Sequence, residues 1–173
     1  MNAMARLFFA LSPDASARQS LADALPPDLE AGRAIPVANF HVTLAFLGDL
    51  ADAQEAQARE VAAGVSAPAF VMRFSDLAFW PKPRLRVLLP ETVPASAQEL
   101  RARLAWGLRA HGIPFDARVW RPHVTVARRA LSGEHSLLRP VCVSFREYVL
   151  MRSQASAQGS VYEPVARWPL ASG

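Results

Sequence analysis

Two short segments of this 173-residue chain repeat one order of residue types. The first places His41 two positions before Thr43, and the second places His123 two positions before Thr125, each inside an otherwise apolar stretch. Successive side chains of a β-strand point to opposite faces, so the histidine and the threonine of each segment share a face. Each segment is therefore predicted to be a strand with one apolar face toward the core and one polar face toward a cleft.

Two opposed imidazoles suit acid–base catalysis near neutral pH, because the pKa of an unperturbed histidine is about 6.5. A neutral ring can take a proton from an attacking water, while a protonated ring gives one to a leaving oxygen. The two neighbouring hydroxyls can hydrogen-bond the non-bridging oxygens of a phosphoryl group. A lone histidine in an apolar strand is usually a core residue, but the repetition of the same spacing favours a catalytic pair.

A metal site is not expected from this pattern. No carboxylate or cysteine lies at ligand spacing beside the two motifs, and His111 and His135 fall at a helix end and in a loop. Cys142 is the only cysteine, which excludes an internal disulfide bond. The sequence thus predicts chemistry that needs no metal and no other cofactor.

The charge and hydropathy of the chain limit its partners and location. The formal net charge is +4, carried by 18 arginines and one lysine, and guanidinium groups suit contacts with phosphate. No apolar run approaches the roughly 20 residues that span a bilayer. The early run Leu7–Leu11 is also shorter than the apolar core of a secretory signal. We expect one bilobal domain over residues 1–173, cytoplasmic and monomeric, with no membrane contact and no obligate protein partner.

The motif strands must be positioned by a mixture of helices and strands. The third helix has Leu100, Leu104 and Leu108 on one stripe, and Gly112 is expected to end it. The order of the predicted helices and strands along the chain is typical of an α+β fold with helices packed on mainly antiparallel sheets. The expected helices are 12–24, capped by Ser12, then 52–63 and 95–111, and the expected strands are 6–11, 37–48, 69–79, 84–90, 115–129, 141–153 and 161–170.

The sequence resembles the two-histidine phosphoesterase superfamily, and most closely its bacterial RNA 2′,3′-cyclic phosphodiesterases, historically called 2′-5′ RNA ligases. The resemblance rests on "NFHVTLAFLG" and "RPHVTVARR", together with "RLFFAL" at the start and "SQASAQGSVYEPVARWPL" at the end. It implies a bilobal fold in which two mainly antiparallel sheets surround a central cleft, with helices on the outer faces. The motifs would lie on facing central strands.

The resemblance also implies an activity, the metal-free hydrolysis of an RNA-terminal 2′,3′-cyclic phosphate to a 2′-phosphate. His41 would be the proton donor and His123 the proton acceptor, while Thr43 and Thr125 would hold the phosphoryl oxygens. The same site could join or cleave a 2′–5′ linkage, and RNA ends would be its partners. Two alternatives stay open: a related enzyme acting on small cyclic nucleotides or 2′-5′ oligonucleotides, and a non-catalytic RNA-end binder.

Four further residues are candidates for substrate binding. Arg128 follows the second motif and could reach a phosphate or a base, or lie in solvent. Strict alternation places Phe46 on the apolar face, where it would pack in the core unless a bulge near Gly48 turns it toward a bound base. Arg6 and Phe8 lie on the first strand, close to the expected cleft.

Several other aromatic and basic residues are expected to have structural roles only. Arg121 and Pro122 are expected to set the geometry with which the chain enters the second motif strand. The aromatic residues in this group are Phe79, Trp80, Tyr162 and Trp168.

Overall fold

The computed structural model describes residues 5–29, 32–157 and 159–172. A short 3₁₀ turn, Val37–Asn39, leads into the first motif strand. The helices are α1 (Ala15–Asp23), α2 (Asp52–Ala63) and α3 (Ala95–Ala110), and the strands are β1 (Ala5–Leu11), β2 (Arg33–Ala34), β3 (Val42–Leu50), β4 (Phe70–Trp80), β5 (Leu85–Pro90), β6 (Val124–Arg128), β7 (Val141–Phe145), β8 (Glu147–Ser156) and β9 (Gly159–Pro169).

In the described residues the strands form one antiparallel sheet with the order β7-β4-β5-β6-β3-β1-β8-β9, and β2 pairs with β6. The central neighbours β3 and β6 are paired at Val42 and Val124 alone. The α+β class is therefore confirmed, with one correction. The two expected sheets are two halves of a single curled sheet, joined where the two motif strands touch.

The core lies between the sheet and the helices. Leu100, Leu104 and Leu108 of α3 are fully buried, as their helical spacing predicts. Helices α2 and α3 approach closely at Gly107 because this residue has no Cβ. A Cβ there would lie only 2.6 Å from Cγ1 of Val61. The helices occupy the predicted segments, and none in the described part of the chain is long and apolar enough to cross a membrane.

The ends of α1 and α3 show how local chemistry sets helix boundaries. Asp14, rather than the expected Ser12, caps α1, because its Oδ1 accepts a hydrogen bond from the backbone N–H of Ala17 at 2.7 Å. The Ser12 hydroxyl instead accepts one from Arg18 Nη2 at 2.6 Å. Gly112 follows α3 with φ +64°, the left-handed conformation expected after a helix.

The expected single strand over residues 141–153 is two strands. The break falls at Arg146, which has no strand conformation. Strand β7 pairs with β4 in one half of the sheet, whereas β8 pairs with β1 and β9 in the other. An apolar pattern cannot show this change of partner, because both segments bury side chains on a sheet face.

Candidate active site

A cavity of about 460 Å³ opens where the two halves of the sheet meet, and we refer to it as the cleft. Its volume lies within the range of ligand pockets. The structure brings together all the site residues predicted from the sequence, which line the cleft as follows: His41, Thr43, His123, Thr125, Arg6, Phe8, Phe46 and Arg128.

Both imidazole rings are held by the same backbone contact. Nδ1 of His41 lies 2.7 Å from the carbonyl oxygen of Asn39, and Nδ1 of His123 lies 2.7 Å from that of Arg121. A carbonyl oxygen only accepts hydrogen bonds, so Nδ1 must carry the proton in both rings. Nε2 is therefore the nitrogen that gains or loses a proton in each ring.

The first motif closes a hydrogen bond within itself. Nε2 of His41 lies 3.1 Å from Oγ1 of Thr43, which places the exchangeable nitrogen on the same face as the hydroxyl. The hydroxyl donates to Nε2 when the ring is neutral and accepts from it when the ring is charged. The threonine can thus stabilise either protonation state of the ring before a phosphoryl oxygen binds.

Both histidines favour the neutral form in the absence of an anion. Burial lowers the pKa of His41 to about 4, and nearby positive groups add to the effect: His123, Arg18 and Arg128. Burial also lowers the pKa of His123. A negatively charged phosphate between the rings would oppose both effects, because an opposite charge favours the charged form.

Strand β3 contains a bulge directly after the first motif. Ala10 of β1 pairs with Thr43, but the preceding residue of β1, Phe9, pairs with Ala45, so Leu44 is an extra residue. An extra residue shifts the alternation of the side chains that follow it, here up to a second register shift at Leu47. The placement of Phe46 on the apolar face is therefore wrong, and its ring, 36% exposed, lies in the cleft.

Strand β6 has the same irregularity. Arg86 of β5 pairs with Ala127 and Val87 pairs with Thr125, which leaves Val126 as the extra residue. The strand then turns the exposed Arg128 toward the cleft. The two motif strands thus match in backbone form as well as in sequence, and each brings a third side chain into the cleft three positions after its threonine.

The residues contributed by β1 have different surroundings. The guanidinium of Arg6 lies over the ring of Phe46, with its Cζ 5.2 Å from the ring centroid, so a cation–π contact holds both groups at the cleft wall. The ring of Phe8 is 4% exposed and lies 5.0 Å from the ring of His41 between centroids. Phe8 thus packs against the catalytic candidate His41, and its ring also meets that of Tyr162 edge-on at 5.1 Å between centroids.

Two aromatic residues assigned structural roles contact the histidines. The ring of Tyr162 lines the cleft and meets His41 edge-on at 5.2 Å between centroids, a position at the site that the sequence did not indicate. The ring of Trp80 lies 4.5 Å from that of His123. Tyr162 reaches the cleft because β9 pairs it with Ser153, which β1 pairs with Arg6. Only the strand register indicates that Tyr162 lies at the cleft.

The chain before the second motif also reaches the first one. Arg121 supplies the carbonyl that orients His123, in keeping with its expected role at the strand entry. Trp120 donates its indole N–H to the carbonyl oxygen of Thr43 at 2.8 Å.

Among the described residues, no group of three or more His, Cys, Asp or Glu side chains could hold a metal ion.

Two histidines with the same backbone anchor, each directly before one of the paired central strands of a curled antiparallel sheet, define a two-histidine phosphoesterase site. The chain belongs to the 2′-5′ RNA ligase superfamily, whose family model matches residues 13–149. The resemblance drawn from the two motifs is thereby confirmed.

Individual relatives match over nearly the full chain. The RNA 2′,3′-cyclic phosphodiesterase of Escherichia coli (strain K12) is 29% identical over 173 residues, covering 95% of this chain and 96% of the relative. The crystal structure of Escherichia coli LigT complexed with 3′-AMP matches with a TM-score of 0.84 and 28% identity, covering 97% of this chain and 99% of that one. A protein of Thermus thermophilus, TT0787, matches with a TM-score of 0.76 over 95% of this chain and 97% of its own, and at 22% identity it supports the fold alone.

Proposed function

We propose that this protein hydrolyses 2′,3′-cyclic phosphates at RNA ends by two-histidine acid–base catalysis. The main observation in support is that His41 and His123 enter one cleft, with Nδ1 of each ring fixed by a backbone carbonyl. Arg6 and Arg128 add positive charge, and no carboxylate of the described residues lines the cleft. Such a cleft attracts a phosphodiester anion. The Escherichia coli relatives, an RNA 2′,3′-cyclic phosphodiesterase and a protein crystallised with 3′-AMP, support the same substrate class.

In the proposed reaction, water attacks the cyclic phosphate opposite the 3′ oxygen. His123 takes the proton from the water at Nε2 as the new P–O bond forms. The bond from phosphorus to the 3′ oxygen breaks, and His41 gives its Nε2 proton to that oxygen. Thr43 and Thr125 hydrogen-bond the non-bridging oxygens and keep the attacking and leaving atoms in line. The product is a 2′-phosphate with a free 3′-hydroxyl, and exchange with solvent restores the protonation of both rings.

The same geometry accommodates the chemistry of 2′–5′ linkages. When a 5′-hydroxyl replaces water, the two histidines keep these roles and a 2′–5′ phosphodiester forms. Cleavage of that linkage exchanges the roles, since His41 then takes the proton of the 3′-hydroxyl and His123 protonates the 5′ oxygen. RNA ends are accordingly the proposed partners, and action in the cytoplasm as a monomer is part of the proposal.

The cleft walls offer contacts for the rest of the terminal nucleotide. Phe46 presents an exposed ring that is backed by the guanidinium of Arg6, a surface on which a base can stack. Arg128 brings a guanidinium that suits a phosphate oxygen or a base edge. We propose Phe46, Arg6 and Arg128 as substrate contacts, with Phe8 supporting the ring of His41.

Incubation of the purified protein with a nucleoside 2′,3′-cyclic phosphate in EDTA tests the proposal. We expect a 2′-monophosphate as the product, identified by chromatography against authentic 2′- and 3′-monophosphates. A 3′-monophosphate would reverse the assigned leaving group. If RNA ends bind but no cyclic substrate turns over, the non-catalytic alternative is correct. A panel of cyclic mononucleotides and 2′-5′ oligonucleotides separates the other alternative, a related enzyme with a different substrate.

A further inference from the structure

A second cavity, of about 450 Å³, lies between α3 and the segment that leads into the second motif. We call it the α3 pocket and define it by Gln98, Arg101, Arg109, Phe115 and Trp120, which are among its lining residues. None of these five residues lines the cleft. The α3 pocket is thus a separate cavity, and neither the proposed reaction nor the sequence motifs account for it.

The α3 pocket holds two guanidinium groups that form no ion pair with the described residues. Arg101 is 8% exposed, and its Nη2 donates to the carbonyl oxygen of Asp116 at 3.2 Å. The Nε of Arg101 is buried and has no hydrogen-bond partner in the described part of the protein. The Cζ atoms of Arg101 and Arg109 lie 5.4 and 5.7 Å from the ring centroid of Phe115. Two cations are therefore gathered on one aromatic ring.

The carboxylate of Asp116 balances only part of this charge. Asp116 accepts two hydrogen bonds from Nε of Arg118, one from its Nη2 and one from its backbone N–H. These bonds lower the pKa of Asp116 to about 2 and commit its carboxylate to Arg118. Burial lowers the pKa of Arg101 and the charge of Arg109 adds to that effect, while the charge of Asp116 opposes it in part. An anionic group in the pocket would offset the two effects that lower the pKa of Arg101.

We propose that the α3 pocket binds a nucleoside phosphate. A phosphate group suits Arg101 and Arg109, because guanidinium donors form charge-assisted hydrogen bonds with phosphate oxygens. Phe115 and Trp120 supply aromatic surface against which a base can pack. A cavity of about 450 Å³ is within the size range of small-ligand sites.

The α3 pocket is connected to β3 by two hydrogen bonds to backbone carbonyl oxygens of that strand. Trp120 donates its indole N–H to the carbonyl oxygen of Thr43 at 2.8 Å. The backbone N–H of Asp116 donates to the carbonyl oxygen of Phe46 at 2.9 Å. A ligand in the pocket therefore lies against the segment that supports β3. It has two possible sources, a free nucleotide or an internal nucleotide of an RNA whose end occupies the cleft.

Two indole groups report separately on the two cavities. Trp80 contacts His123 in the cleft, and Trp120 lines the α3 pocket. We propose a titration of ¹⁵N-labelled protein with AMP, with each indole N–H signal assigned from its Trp→Phe variant. We expect the Trp80 and Trp120 signals to shift with two different dissociation constants.

Substitutions separate the two sites. Arg109→Gln, at an exposed position, should weaken the Trp120 response about tenfold, the loss expected for a charged hydrogen-bond donor. The same variant should keep the Trp80 response and kcat/KM for a cyclic mononucleotide within about twofold of the wild-type values. Arg103→Gln is the matched control, because this arginine of α3 is paired with Glu99 and does not line the pocket. Arg128→Gln should weaken the Trp80 response instead.

The proposal is overturned if Arg109→Gln and Arg103→Gln give the same Trp120 response, since that response would then be transmitted from the cleft. It is also overturned if AMP shows a single dissociation constant. Oligoribonucleotides of two and eight residues with 3′-phosphates distinguish the source of the ligand. A loss of affinity for the longer RNA alone in Arg109→Gln indicates an internal nucleotide of the RNA. A loss for AMP with no effect on either RNA indicates a free nucleotide.

Discussion

The ring of His41 must change its protonation preference when substrate binds, and this gives a quantitative prediction. Burial lowers its pKa from 6.5 to about 4. That lowering corresponds to about 3 kcal/mol against the charged ring. A phosphodiester anion about 4 Å away would favour the charged ring by about 4 kcal/mol at an effective dielectric constant of about 20. The two effects are of similar size, so the bound anion should return the pKa of His41 to at least its ordinary value.

NMR titration of the His41 ring checks this directly. We expect the ring to titrate near pH 4 in the free protein. With saturating 3′-AMP it should titrate at or above its ordinary pKa, as the charge estimate requires. The urea-unfolded chain supplies the reference pKa, and a His41→Asn variant assigns the signal. In kinetics, the pH profile of kcat should lie to the alkaline side of that of kcat/KM, because the first reports the bound enzyme.

The same lowered pKa makes stability depend on pH with a definite sign. Between pH 6.5 and 4 the unfolded chain protonates His41 while the folded chain does not, so stability falls as the pH falls. Denaturant unfolding should show a loss of about 3 kcal/mol from this ring, and His41→Asn should flatten that part of the curve. A His41 ring that titrates near 6.5 with and without 3′-AMP would refute the reasoning.

Substitutions at both histidines, at Phe46 and at Gly107 test the site and the helix packing. His41→Ala and His123→Ala should each lower kcat by about 10²–10⁴-fold with little change in Tm; a wild-type rate in either would contradict the two-histidine mechanism. Phe46→Ala should raise KM with little effect on kcat, whereas Phe46→Tyr should behave as wild type, because only the stacking ring is used. Gly107→Ala should cost about 1–3 kcal/mol of stability by overpacking against Val61, and Val61→Ala should restore part of it in thermal unfolding of the double variant.

The features predicted correctly from the sequence are those fixed by local patterns. The leucine stripe of α3 and the glycine after it define that helix by spacing and backbone preference alone. The polar faces of the two motifs follow from strand alternation, and both histidines enter the cleft as expected. In each case the physical cause acts within a few residues of the chain.

The features that the sequence could not predict depend on how strands pair. Phe46 enters the cleft because of one extra residue in β3, and that bulge is visible only against the register of β1. Tyr162 reaches His41 through two successive strand pairings. The α3 pocket gathers Arg101 and Arg109 on Phe115, a contact between a helix and the loop that follows it. None of these relations leaves a periodic trace in the sequence.

The single pairing of Val42 with Val124 gives the cleft an approximate twofold axis. Continuing that antiparallel register by one residue in each direction puts each histidine opposite the threonine of the other motif. A site with this symmetry treats the two ester oxygens of a cyclic phosphate as equivalent. The choice between 2′- and 3′-phosphate must therefore come from whatever breaks the symmetry. The third positions differ, with Phe46 on one strand and Arg128 on the other, and so do the rings beside the two histidines, Tyr162 at His41 and Trp80 at His123.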